Sequence, residues 1–151
     1  MEDEMHHEAA PEVQARITNS FERQGLMRHL GARLGLIAAG RVHIVLPSRP
    51  EMTQQHGYIH AGATSALADS AGGYAALTVF PEKTEVLTVE YKINLVAPAA
   101  GDHLKAVGTV VNAGRTLTVC RLEVFGIQSA QRSLVATGQQ TLIRVPAGSE
   151  Q

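Results

Sequence analysis

The 151-residue chain has one cysteine, Cys120, so it can form no internal disulfide, and no Cys-x-x-Cys pair is present to hold zinc or cycle redox equivalents. That suits a reducing compartment, and a cytoplasmic location is the expectation. Excess positive charge is missing too. Thirteen Lys and Arg face 14 Asp and Glu, a net charge of −1, which excludes the broad basic surface that duplex nucleic acid requires. The most apolar stretch, 61–80, is interrupted by Asp69 and several Gly and Ser, so it falls short of a membrane span. The opening MEDEMHHEAAPEVQ is acidic where a signal peptide needs a basic start and an apolar run, so secretion is not expected. No His-x-x-x-His pair falls on a helical segment, and no metal is expected.

What is present is material for one core. The chain is 44% hydrophobic and 18% charged, close to the common size of a single domain, and a chain of this size buries roughly 70% of its unfolded surface. The core is expected over about 30–145, with 1–11 and 147–151 loosely held. Val13, Ile17, Phe21 and Leu30 recur at helical spacing and predict an amphipathic helix over 12–30, weakened by Gly25. Alternation around Val42, Ile44 and Leu46 predicts a strand over 34–46, closed by Pro47 and Pro50. The alanine-rich segment 61–80 predicts a helix buried on most faces. Four strands are expected beyond Pro81, at 86–95, 103–112, 116–125 and 132–145. Their short connections favour an antiparallel meander, and the lone helix is buried only if the sheet wraps around it. The fold class is α+β.

The loop Gln54–Gln55–His56–Gly57–Tyr58–Ile59–His60 runs directly into the start of that helix at Ala61 and Gly62. The first N–H groups of a helix lack internal partners, and with the helix dipole they suit the negative charge that develops on a carbonyl oxygen under attack. Eight residues further on stands Asp69, a carboxylate in an otherwise apolar helix. It is either paired, solvent-facing or used. At about 1.5 Å per residue its backbone lies roughly 12 Å from Ala61, beyond the reach of one small reacting group. The two features work together most simply when each comes from a different chain.

The pattern His60-Ala61-Gly62 followed after six residues by Asp69 is carried with Leu67-Ala68-Asp69, TVEYKINLVAPAAGD at 88–102 and NAGRT at 112–116. Together with the element order, these resemble the hotdog-fold thioesterases, most closely the PaaI-like branch of phenylacetic acid degradation. The resemblance covers roughly 30–145. It implies an antiparallel five- to six-stranded sheet wrapped around one long central helix, with a helix preceding it. It also implies a homodimer or a dimer-of-dimers homotetramer that binds acyl-CoA between subunits and hydrolyses it, with CoA as part of the substrate and no retained cofactor. Asp69 takes the position of the family's general base or nucleophile, and Ala61 stands where the family usually has glycine. Gln54, with Gln55 as the alternative register, matches a residue that orients water or the carbonyl. Thr88 matches a Ser or Thr that supports the water. Gly114 and Arg115 match a turn that meets CoA phosphates. His60 is open between a contact to the thioester and a helix cap, and Tyr58 between an acyl-pocket wall and core packing.

Rival readings are a catalytically silent acyl-CoA-binding hotdog protein, which the alanine at position 61 keeps open, and a purely structural oligomer. A hotdog dehydratase would carry HFPG or Asp-x-Asn-Pro-x-His, and the sequence has neither.

Overall fold

A computed structural model describes residues 6–148. The chain folds as α1 (Pro11–Glu22), α2 (Gly25–Leu30), β1 (Arg33–Ala38), β2 (Arg41–Pro47), a short 3₁₀ turn at Pro50–Met52, α3 (Ala61–Leu77), β3 (Thr84–Leu95), β4 (His103–Ala113), β5 (Leu117–Gln128) and β6 (Gln131–Pro146). All strand pairs are antiparallel, in the order β1-β2-β4-β5-β6-β3. The six-stranded sheet curls around α3, the hotdog arrangement.

Four expectations are corrected. The helix expected over 12–30 is two helices, because Gln24 is extended at φ −77°, ψ 105° and Gly25 opens the second helix. The strand expected over 34–46 is the hairpin β1–β2. Ala39 and Gly40 turn the chain between them, with Gly40 in the left-handed region at φ 74°. Helix α3 stops at Leu77 rather than at 80, with Thr78 closing its last turn. Only β4, β5 and β6 form a meander: β3 pairs with β6 at the far edge instead of neighbouring β4, so α3 carries the chain across the concave face. The expected loose ends fall partly outside the described residues. Within those residues, Glu8 bridges Ala38, the Ala9 N–H donates to Ile37 O, and the Ala147 N–H donates to Lys83 O.

Small residues let α3 press onto the sheet. A Cβ at Gly108 of β4 would sit 2.4 Å from the backbone of Ala71 and Gly72, so helix and strand backbones are in contact there. Leu67, Ala68, Ala71, Ala75 and Ala76 are fully buried against Ile44, Leu46, Leu104, Leu122 and Leu142. Truncating a Leu packed this closely costs about 2–5 kcal/mol. This packing sets the height and rotation of α3, and with them the position of its N-terminal amides and of Asp69. Among the described residues no helix is long and apolar enough to cross a membrane, and no group of three metal-ligating side chains occurs.

Candidate active site

The start of α3 is held by its own loop. The N–H of His60 donates to Met52 O and that of Ile59 to Ala99 O, anchoring the loop to the chain on either side. His60 is the N-cap: its Nδ1 accepts the Gly62 N–H at 2.7 Å, so the ring proton of the neutral imidazole sits on Nε2. Of the two readings of His60, the structure contains the cap. The Gly62 N–H is thereby engaged, whereas no acceptor among the described residues takes the Ala61 N–H. That leaves Ala61 as the open donor at the positive end of α3. Gln54 turns its Oε1 back to accept the His56 N–H at 2.6 Å, which shapes the loop from within. Gln54, Tyr58, His60 and Ala61 line a cavity of about 610 Å³, whose opposite wall is Leu95, Val96 and Val135.

Asp69 lies elsewhere. It opens, with Thr88, into a separate cavity of about 300 Å³. Its Oδ1 accepts two short hydrogen bonds, from Thr88 Oγ1 at 2.6 Å and from Gln140 Nε2 at 2.6 Å. Gln140 Nε2 also reaches Thr88 Oγ1 at 3.1 Å and the Asp69 main-chain oxygen at 3.0 Å, closing a triangle. No described residue donates to Oδ2. A β-bulge in β3 sets this geometry: Thr88 faces Leu142, but the register slips between Thr88 and Glu90, so Tyr91 rather than Glu90 stands opposite Gln140. In an unbroken register Val89 would pair with Thr141 and Glu90 with Gln140, which would bring the Glu90 carboxylate to the face that Thr88 shares with Asp69.

The far wall of this cavity is polar and comes from the N-terminal helices. Gln24, freed by the break between α1 and α2, donates from Nε2 to Tyr74 Oη at 2.8 Å and accepts from Ser70 Oγ at 3.3 Å. Ser20 Oγ lies 3.2 Å from the same phenol. Gln24 and Gln140 are the residues sequence reasoning missed as site groups. Gln140 was findable, since in β6 it shares parity with Ala136 and Leu142 and so belongs to the inner face. Gln24 was not, because a continuous helix through Gly25 aims its side chain differently.

Gly114 and Arg115 occupy neither cavity. They form the β4–β5 turn, where the Gly114 N–H donates to Leu117 O at 2.8 Å and Arg115 is exposed. The turn sits at the Asp69 end of the sheet, since Leu117 pairs with Ile143 and Ile143 with Leu87 of β3. Within one chain, then, the amide donor and the carboxylate lie in different cavities, with β3 running past both.

Comparison with known proteins bears on what such a pair of cavities does. The sequence pattern of the family described as Thioesterase superfamily matches residues 56–131, which spans the start of α3, Asp69, Thr88 and the β4–β5 turn. A thioesterase family protein from Silicibacter pomeroyi has a solved structure of TM-score 0.86 at 38% identity, covering 89% of this chain and 99% of its own. A Haemophilus influenzae thioesterase aligns with TM-score 0.79 at 20% identity, covering 88% of this chain and 91% of its own. The Escherichia coli PaaI protein of the phenylacetic acid degradation operon aligns with TM-score 0.80 at 21% identity, covering 89% and 94%. The last two establish likeness of fold.

Proposed function

Because the chain belongs to the thioesterase superfamily, we propose that it hydrolyses an acyl-CoA thioester at a site shared between two copies of the chain. The observation that carries this is Asp69: a half-buried carboxylate on an otherwise apolar helix that lines a cavity of about 300 Å³, with Thr88 and Gln140 both donating to one oxygen and no donor among the described residues on the other. A merely structural carboxylate has no need of an open oxygen beside a cavity of that size.

Chemically, the Ala61 N–H of one chain polarises the thioester carbonyl, and Asp69 of the other takes a proton from attacking water. Collapse of the tetrahedral intermediate breaks the C–S bond, and the proton passes to the departing CoA thiolate. Direct attack by Oδ2 through an anhydride, hydrolysed in a second step, uses the same groups. On this reading Gln54 orients the water and Arg115 meets the CoA phosphates.

The two-chain arrangement is supported by β3. It is the edge strand, 12 residues long, with no strand partner on its outer side among the described residues, and it exposes Leu87, Val89, Tyr91 and Leu95, with Val96 exposed just beyond its end. Long apolar edges of this kind invite pairing. Antiparallel pairing of β3 with its copy about a two-fold near Tyr91 superimposes the Leu95 end of one strand on the Thr88 end of the other. The Ala61 cavity of one chain then meets the Asp69 cavity of its partner. The outer-face row Leu87–Ile143–Leu117 offers a second apolar surface, suited to a dimer of dimers.

The test is thiol release from short, medium, long and aromatic acyl-CoAs by wild type and Asp69→Asn. Turnover by wild type, reduced at least a hundredfold in a folded Asp69→Asn protein, is expected. Equal turnover by the two would refute the role of Asp69. Tight acyl-CoA binding with no turnover by wild type would favour the silent binding protein, which the methyl group of Ala61 beside the cavity keeps in view.

A further inference from the structure

We infer that Gln140 is a positioning residue for the reaction: it fixes the Asp69 carboxylate through Oδ1, so that Oδ2 is the oxygen presented to the substrate. This rests on the thioesterase reading of the Asp69 cavity and deepens it. Three observations carry it together.

Gln140 is fully buried, yet nothing about the packing of β6 calls for an amide there. Its neighbours on the inner face are Ala136, Gly138 and Leu142. Every hydrogen bond the amide makes is aimed at one place: Nε2 donates to Asp69 Oδ1, to the Asp69 main-chain oxygen and to Thr88 Oγ1. Thr88 adds its own bond to the same Oδ1, so a carboxylate that is otherwise free to turn about its last torsion has both donors on one oxygen.

The amide is kept at a cost to stability. Its Oε1 is buried with no hydrogen-bond partner, a state that buried amides avoid. It also occupies the space beside a glycine in the middle of α3. A Cβ at Gly72 would lie 1.9 Å from Gln140 Oε1, 2.6 Å from Leu122 Cδ2 and 3.0 Å from Gln140 Cδ, so the amide and Leu122 together fill the room that a side chain at 72 would need. A glycine inside a helix and an orphaned carbonyl oxygen both disfavour folding, and an apolar residue at 140 would relieve the second. Retention of such an arrangement next to the one carboxylate of the helix points to a task at that carboxylate.

A residue that merely holds the core together and one that aims Asp69 respond oppositely to substitution. Gln140→Met preserves volume, removes the donor and removes the orphaned oxygen. It is expected to leave the melting temperature unchanged or raised, to lower kcat at least tenfold and to leave KM within about threefold. Gln140→Glu keeps the shape but sets a second carboxyl against Asp69 Oδ1. The pair then shares a proton, and the acid limb of the kcat–pH profile moves to higher pH. Glu85 and Tyr74, the other titratable groups lining the cavity, are unchanged in both variants, so a displaced limb reports on the new pair.

Wild type, Asp69→Asn, Gln140→Met and Gln140→Glu are assayed side by side, with thermal melts and pH profiles. Loss of kcat with stability retained in Gln140→Met, and a shifted acid limb in Gln140→Glu, support the inference. Full turnover by Gln140→Met while Asp69→Asn is inactive overturns it and leaves the thioesterase reading standing. Parallel loss of stability and activity in Gln140→Met, with an unmoved profile in Gln140→Glu, overturns it in favour of a structural role. Equal turnover by wild type and Asp69→Asn overturns both.

Discussion

Replacing Ala61 by proline removes a single backbone N–H and little else. Ala61 is the first residue of α3, where proline is well tolerated because that N–H has no intrahelical partner. His60 before it sits at φ −60° and ψ 139°, the extended conformation a residue preceding proline prefers. The substitution should therefore leave stability within about 0.5 kcal/mol, the range of changes that disturb no packed or bonded group. If the Ala61 N–H donates to the developing oxyanion, loss of one such donor lowers kcat by about a hundred- to a thousandfold, or about 3–4 kcal/mol in the transition state. The assay is acyl-CoA turnover by Ala61→Pro alone, then after refolding it one to one with Asp69→Asn. In a shared site, half of the dimers formed are mixed, and in each of these one site pairs an intact amide with an intact carboxylate. About a quarter of wild-type activity should then return, from two proteins that are nearly inactive apart. A folded Ala61→Pro protein within threefold of wild type would refute the donor. Failure of the mixture to recover activity, with mixed dimers shown to form, would refute the shared site.

Gly108→Ala places a methyl group 2.4 Å from backbone atoms of Ala71 and Gly72, which cannot rotate aside. Overpacking of about 3 kcal/mol, offset by up to about 1 kcal/mol from removing a glycine, leaves about 2 kcal/mol of destabilisation and a melting temperature about 4–8 °C lower; a melt within 1 °C of wild type would contradict the close approach of α3 to β4. His60→Leu removes the Gly62 cap and should cost about 1 kcal/mol in a urea titration, whereas His60→Asn, which keeps a side-chain acceptor, should cost less than half of that. Burial pushes the Cys120 thiol up to about 12, so it should resist alkylation at pH 8 until the protein is unfolded, and labelling of the native protein at the unfolded rate would refute its burial. The stability gained by keeping that thiol protonated is whole below the unfolded value of about 8.5 and is lost as pH climbs toward the folded one, so the urea midpoint should fall between pH 8 and pH 10.

The strands after Pro81 were legible because each is long, apolar on alternate residues and bounded by glycine or proline: 103–112 and 132–145 were expected, and His103–Ala113 and Gln131–Pro146 are found. The hairpin β1–β2 was not, because Gly35 and the Leu36-Ile37-Ala38-Ala39 run blur the alternation on either side of the turn at Gly40. The place of β3 beside β6 is a matter of topology, which neither periodicity nor short connections constrain. In the candidate site, Asp69 stood out as a charge on an apolar helix and Ala61 as the first residue after a polar loop. Gln140 did not, being 71 residues from Asp69 and joined to it only once β6 and α3 are packed. The bulge at Val89 was equally hidden, yet it decides that Thr88 faces the carboxylate and Glu90 does not.

One helix is asked for two things that conflict in a single chain. To pack against β4 it must be thin, and its alanines and glycines provide that. To serve a reaction it must offer both a free amide at its start and a carboxylate two turns later, groups set roughly 12 Å apart by helix geometry and hence out of reach of one thioester carbonyl. Moving Asp69 toward Ala61 by a turn would bring it to Ser65 and away from Thr88 and Gln140, losing the donors that orient it. Bending the helix would break its seat on Gly108. The edge strand β3 runs past both groups and has no strand partner on its outer side among the described residues, so in the proposed dimer a second copy would resolve the conflict without altering either helix. On the proposed arrangement the spacing that forbids catalysis within one chain is the spacing that makes two identical sites per dimer.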